Sequence, residues 1–514
     1  MNLKLRLISA AAIAMCSMAS HAAGNLVTAA CTAPIADAAA AEALVANCAP
    51  VATLFVGGAS TQQGNLLTVL NATLFDTAAM TPILIQDNAS PTKAGVKAYL
   101  GKTKSVTNGY PAGSLIYVVY NANNGSAGGV SQLLAKTPKL ADQTDPKKAV
   151  AEADVAFVGP AKDATTPGGT MKNTFCGTAA TGVTSTTTLV ACNSHTTQTA
   201  DMALSDVRAE ELYALYPAAT GKISTLTQVP LFLQSFGVAV SQPLYIALQK
   251  KNGLADTCST TGIDTAACQP SLSRADYASL VAEGGKIATL ADLTADPSLT
   301  GLLKLARRDD FSGTQAASNM FFVNGQCGGN DEAGVAKSID ANVAKAGGLL
   351  GGLAIRTDVT DDVANVLDVQ ANVTSTTAKA AIGSSTDYAI GVLGTGSGGK
   401  TNIYGRFVKI DGVSPNFDGT SYMSATATRA QIANGAYPFA YVMQGMYLTA
   451  MKDAAKKAAV LAVLDGFKSS ALTDLAGIAY LDSAASNAVA AKQAKYSRVD
   501  SNGKTNNCSP ITKL

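Results

Sequence analysis

A mostly apolar run from Val51 to Val56 stops at Gly57-Gly58, a pattern that predicts a buried strand entering a tight turn. Ser114 to Tyr120 and Asp154 to Val158 read as two further strands. Helical spacing over Gln132 to Lys136 and Val207 to Tyr216 predicts helices between and after them. Gly237-Val238-Ala239-Val240-Ser241 predicts another strand, leading into a new lobe, and Ala389 to Leu393 one more. Ala and Lys at helical spacing over 450–495 predict a C-terminal helical region. Strands alternating with helices indicate an α/β chain with a mostly parallel sheet.

The first residues set the compartment. Lys4 and Arg6 precede an apolar run from Leu7 to Met18, and Ser20-His21-Ala22 offers small residues at the two positions a signal peptidase reads. Residues 1–23 are therefore expected to be a signal peptide, too short for a spanning helix. Residues 24–50, Ala-rich and bounded by Cys31 and Cys48, are expected to form a disulfide-closed appendage.

Cysteine use agrees with export. Cys16 lies in the leader, which leaves eight of the nine cysteines. Closeness in sequence favours Cys31 with Cys48, Cys176 with Cys192 and Cys258 with Cys268, leaving Cys327 and Cys508 to tie the middle of the chain to its end. Eight cysteines allow about 105 pairings, so connectivity stays open at this point. With no C-x-x-C and only His195 left after cleavage, structural disulfides are favoured over metal ligation and no metal is expected. The Cys176–Cys192 and Cys258–Cys268 segments read as surface insertions.

At 514 residues the chain exceeds one ordinary domain. Only 14% of residues are charged and the net charge is +2, with no basic run, which argues against nucleic acid as a partner.

Four small polar clusters each follow a strand-like run or open a helix-like one. They are Gly58-Ala59-Ser60-Thr61, Gly125-Ser126-Ala127-Gly128-Gly129, Ser205-Asp206, and Arg307-Arg308-Asp309-Asp310-Phe311-Ser312-Gly313-Thr314. Helix N-termini present free N–H groups and a favourable dipole to an anion. Ser126, Ser312 and Thr314 add hydroxyl donors, Gly313 lets backbone approach closely, and Arg308 offers a planar fork to a tetrahedral oxyanion. Asp310 is placed to hold that guanidinium. Asp206 is the informative member, because a carboxylate beside an anion is repulsive unless the anion carries a proton to donate. It therefore favours hydrogen phosphate over sulfate. Each cluster also has a plain reading as a turn, a helix cap or a solvated ion pair.

In this order the clusters resemble the phosphate-binding proteins of ABC phosphate importers, within the type II periplasmic binding proteins. The resemblance spans about residues 51–450 and continues through Ser273 to Ile287, Ala389 to Val392, Lys409 to Pro415 and Asn434 to Pro438. It implies an α/β, two-lobed type II periplasmic-binding-protein fold with a two-segment hinge and disulfide-bearing insertions. Lobe 1 would comprise 51–235 and 395–514, and lobe 2 would comprise 238–392. Ser60, Thr61, Ser126, Asp206, Arg308, Asp310, Ser312, Gly313 and Thr314 would form the ligand site in the cleft. Thr61 stands where that family usually has Phe, and Phe311 where it has Gly.

The resemblance further implies a non-catalytic protein without a cofactor, periplasmic or secreted. It would capture phosphate or a similar oxyanion for an inner-membrane ABC permease. The alternative is an exported surface or matrix protein that reuses the scaffold for adhesion or assembly. A phosphate-ester hydrolase is disfavoured, since the sequence shows no metal-ligand cluster or activated nucleophile. Asp358, Asp361 and Asp362 lack the spacing of a calcium loop. Gly394 to Thr401 fits the nucleotide phosphate-loop pattern letter for letter. The following Asn402 to Ile410 alternates like a strand, whereas a nucleotide loop opens a helix.

Overall fold

The computed structural model describes residues 52–62, 64–86, 96–104, 109–122, 125–134, 156–158, 161–162, 171–172, 188–190, 195–197, 200–212, 223–263, 265–282, 287, 289–301, 303–308, 311–325, 327, 353–357, 363, 366–367, 388–395, 406–416, 431–468, 477–481, 494–500 and 505–514. The expected leader, the Cys31–Cys48 appendage, the Cys176–Cys192 pair, Asp310, the three acids at 358, 361 and 362, and Gly396 to Thr401 lie outside the described residues.

The first half is built on strands β1 (Ala52–Gly58), β2 (Ile83–Gln86), β3 (Val96–Lys102), β4 (Leu115–Asn121) and β5 (Met202–Ser205). β1 lies between β4 and β5 and runs parallel to both. All seven residues of β4 are buried. A central strand covered on both faces needs such a continuous apolar run rather than alternation. Helices α1 (Leu66–Thr73) and α2 (Gly125–Leu134) belong to this half. α2 lies so close to β1 that a Cβ on Gly129 would come within 2.5 Å of the Gly57 carbonyl carbon. Only glycine allows that approach.

Strand β6 (Leu226–Val240) joins the halves. Its first part, to Ser235, pairs antiparallel with β10 (Ala440–Leu448), and its last part, from Phe236, pairs antiparallel with β9 (Tyr388–Gly394). The second half continues with helices α3 (Gln242–Lys251) and α4 (Arg274–Val281), strand β7 (Leu303–Arg308), helix α5 (Gly313–Val323) and strand β8 (Leu353–Thr357). β7 runs parallel to β8 and to β9. The chain returns beyond β9, where the Ser235 and Thr395 hydroxyls bond to each other across the junction. The strand order is β8-β7-β9-β6-β10-β5-β1-β4-β3-β2, and Thr188–Val190 extends it beyond β2. The two-lobed α/β fold, its halves sharing one long strand, is as expected, but the sheet is mixed rather than mostly parallel, because β6 runs antiparallel to both β9 and β10.

α6 (Ala454–Lys468) packs Ala459, Val460, Val463, Leu464 and Phe467 into the core of the first half. Among the described residues, the helical expectation over 450–495 holds for 454–468. Ile478–Tyr480 is a strand, β11, which pairs with β6. A hairpin of β12 (Tyr496–Arg498) and β13 (Ile511–Lys513) closes the described chain.

Cys258 and Cys268 form a disulfide, as do Cys327 and Cys508. Among the described residues no helix is long and apolar enough to cross a membrane.

Candidate functional site

Each polar cluster lies at the end of a strand, and the structure brings them to one place. The first cluster turns out of β1 into a single 3-10 turn, Ser60–Gln62, with Ser60 and Thr61 half-buried. Ser126 sits in the first turn of α2, fully buried. Asp206 follows β5 and is 2% exposed. Arg308 is the last residue of β7, buried like its neighbour Arg307. Ser312 caps α5, its Oγ accepting from the Gln315 N–H, and Gly313 and Thr314 open that helix.

Asp206 is the centre. Its Oδ1 accepts from the Thr61 hydroxyl at 2.6 Å and its Oδ2 from the Thr314 hydroxyl at 3.0 Å. Its backbone N–H donates to Ser126 Oγ at 3.2 Å. Thr61 and Ser126 come from the first half and Thr314 from the second, so one carboxylate joins both sides. The Ala127 N–H donates to the Phe311 carbonyl at 2.9 Å, a second link between the same two loops. Gly313 fills the remaining gap. A Cβ there would lie 2.3 Å from Ser126 Oγ and 2.8 Å from Asp206 Cβ. Gly313→Ala therefore forces the loops apart, and the variant should bind any interlobe ligand at least tenfold more weakly. Titration of the folded variant reads this, and wild-type affinity would contradict it.

Burial, the largest influence, raises the Asp206 carboxyl above its ordinary range. The Thr61 and Thr314 hydroxyls, the Arg308 charge and the Thr314 N–H oppose that rise. A raised native value means that the folded state holds this proton more tightly than the unfolded chain. The stabilisation from Asp206 is then fully present below about pH 4, the ordinary carboxyl value, and is lost as pH rises through the raised value. Asp206→Asn should therefore unfold at a higher temperature than wild type at pH 7, by a margin that shrinks toward pH 4. Thermal unfolding at both pH values checks this; a margin independent of pH would contradict it.

A cavity reaches Arg308 and Thr314 from within the second half. It is lined by Tyr277, Arg307, Arg308, Thr314, Gln315 and Ser318 with apolar neighbours, and no acid is among the described lining residues. The Arg307-Arg308 pair is thus not a solvated surface run. Its burial, at 5% and 3% exposure, places two guanidinium groups where only an anion or a dense set of acceptors compensates them.

Two expectations change. Val207 to Tyr216 does not begin as an α-helix: Ala209–Glu211 is one 3-10 turn, and Leu212 is already extended. The Glu211 carboxylate turns back to accept from the Arg208 N–H at 2.7 Å, capping the start of the turn, and it also accepts from Asn507. Some helix N–H groups expected to face a ligand point at protein acceptors here, as Ala127 does at Phe311 and Thr314 at Asp206.

Sequence reasoning missed Gln62 and Gln234. Gln62 Nε2 donates to Gln234 Oε1 at 2.7 Å and to Thr61 Oγ1 at 3.3 Å, and its Oε1 accepts from Asn65 at 2.8 Å. This chain of amides runs from the crossing strand β6 to Thr61. Gln62 carried a faint signal in its place beside Ser60 and Thr61. Gln234 carried none, being one polar residue in an apolar strand.

The fold and the geometry define a two-lobed α/β architecture with a polar junction between its halves. No protein-family model and no curated protein matches the sequence. Solved structures similar to it include a high-affinity periplasmic phosphate-binding protein, PfluDING, bound with phosphate, at 14% identity and TM-score 0.39, covering 88% of this chain and 96% of that one. Another is a Clostridium perfringens substrate-binding protein assigned to phosphate ABC transport, with phosphate bound, at 10% identity and TM-score 0.37, covering 81% and 93%. A phosphate-binding protein from Stenotrophomonas maltophilia is similar at 15% identity and TM-score 0.30, covering 81% and 83%. These overlays are partial, and the functional reading rests on the residues of this chain.

Proposed function

We propose that this chain is an exported, non-catalytic solute-binding protein that clamps a small oxyanion, phosphate foremost, between its two halves. The supporting observation is the convergence from both halves of the half-buried Thr61 and the buried Ser126 and Thr314 on the buried Asp206, with the charge of the buried Arg308 acting on the same carboxylate. Residues 51–235 with 395–514 would move as one lobe and 238–392 as the other, about the crossings near Ser235 and Thr395. Only the closed form lets both sets of donors touch one anion, so ligand binding favours closure.

The chemistry is that of recognition. Arg308 supplies the fork, and Ser126, Ser312 and Thr314 supply hydroxyl donors. The resemblance assigns the orienting of that guanidinium to Asp310, two residues after Arg308 in sequence. An ionised carboxylate has about four acceptor positions, so Asp206 can take a proton from hydrogen phosphate beside its protein donors. The two disulfides fit an oxidising compartment outside the cytoplasm. An ABC permease of the inner membrane is the partner this role requires.

Calorimetric titration of the disulfide-intact protein with phosphate, arsenate and sulfate tests the reading. Saturable 1:1 binding of phosphate is expected. A folded protein that binds none of the three would overturn it in favour of a scaffold used for adhesion or assembly.

A further inference from the structure

The oxyanion reading leaves open how strictly the site demands a ligand that carries a proton. Thr61 bears on that question through a bond made to Asp206 rather than to any ligand.

The direction of the hydrogen bonds around Thr61 is fixed. The Gln62 amide nitrogen has two protons, one donated to Gln234 Oε1 at 2.7 Å and the other to Thr61 Oγ1 at 3.3 Å. Its oxygen is occupied by the Asn65 amide at 2.8 Å, which sets the orientation of the group. Thr61 Oγ1 therefore accepts from Gln62, and its own proton goes to Asp206 Oδ1 at 2.6 Å. Successive donors in such a chain polarise one another and strengthen the last bond. On the other side, Asp206 Oδ2 has the Thr314 hydroxyl at 3.0 Å.

The consequence concerns a ligand with no proton to give. Where a buried carboxylate depends on the ligand for a donor, a fully deprotonated oxyanion leaves that acceptor unsatisfied. Sites of that kind reject the analogue strongly, because the unpaired polar group carries its full desolvation cost. Here Oδ1 already holds a donor from the protein, so that part of the penalty disappears. Only the charge repulsion remains, and Arg308 opposes it.

Resting on the oxyanion reading, we infer that Thr61 is a specificity-determining residue whose hydroxyl satisfies Asp206 Oδ1 and so relaxes the preference for protonated oxyanions such as hydrogen phosphate over deprotonated ones such as sulfate. It is a positioning residue, acting on the ligand through Asp206. The half-buried position of Thr61 lets the hydroxyl be removed with little disturbance to packing.

The experiment is calorimetric titration with phosphate and with sulfate of wild type, Thr61→Val, Thr61→Ala and Thr61→Ser, each shown to be folded by circular dichroism. Thr61→Val and Thr61→Ala should raise the ratio of phosphate to sulfate affinity by roughly tenfold, mainly by weakening sulfate. Thr61→Ser, which keeps the hydroxyl, should leave the ratio within about twofold of wild type. Thr61→Ala serves where Thr61→Val does not fold. A ratio unchanged in the hydroxyl-free variants, with wild type binding phosphate, overturns the role of Thr61 and leaves the oxyanion reading standing. Loss of both ligands in folded hydroxyl-free variants also overturns it, since Thr61 would then contact the ligand itself. A wild-type protein that binds neither ion overturns both.

Discussion

Arg308→Ala should lower phosphate affinity by about 30- to 4,000-fold, the range expected when one member of a buried, hydrogen-bonded charge pair is truncated. The reasoning starts from burial. Arg308 ends β7 with 3% exposure, and its charge acts on an Asp206 that is equally enclosed. With the guanidinium gone, the anion and the Asp206 carboxylate are like charges in a poorly hydrated place, and the repulsion is no longer balanced. Arg308→Lys keeps the charge but loses the planar fork, so its affinity should fall between the two. Titration of folded variants measures this. Wild-type affinity in Arg308→Ala would show that the anion binds elsewhere.

The second large effect concerns the chain end. Cys327 follows α5, the helix that Ser312 caps and Gly313 and Thr314 open. Cys508 sits beside Asn507, whose side chain donates to Glu211 Oε2 at 2.8 Å and accepts from the Val442 N–H at 3.0 Å. The disulfide thus straps the second half, through α5, to β10 and the Glu211 turn of the first. It closes a sequence separation of 181 residues. In the chain-entropy picture such a loop is worth about 5 kcal/mol. The double variant Cys327→Ser/Cys508→Ser should therefore unfold at markedly lower urea. It should also release phosphate faster, because α5 can then swing away from Asp206. Urea unfolding and stopped-flow release test the two parts. A variant that matches wild type in both would show that the strap holds nothing.

Much of this was legible in the sequence, for a physical reason that differs from place to place. β1, β4 and β9 announced themselves because central strands need unbroken apolar runs. Ser126, Asp206 and Ser312-Gly313-Thr314 stood out as polar breaks where a strand or helix ends. β6 was read only from Gly237. Its earlier part contains Pro230, which cannot donate to the ladder, and the pairing with β10 shifts register between Pro230 and Leu233. Of the helix expected over 207–216, the described residues form one 3-10 turn, although Glu211 caps the Arg208 N–H as it would at a helix start; the Glu211 carboxylate is also held by the distant Asn507, which no local spacing records. The β11 strand owes its place to pairing with β6, and the C-terminal hairpin is tied to β10 through Arg498 and Asn507, contacts that no local pattern records.

The central claim is that both halves grip one anion. A crystal structure of the protein grown with arsenate, located by its anomalous signal, tests this most directly. The account predicts one arsenic position within hydrogen-bonding reach of Arg308, Ser126 and Thr314, its oxygens touching both halves. An anion found only on the surface, with Asp206 still held by Thr61 and Thr314 alone, would contradict it.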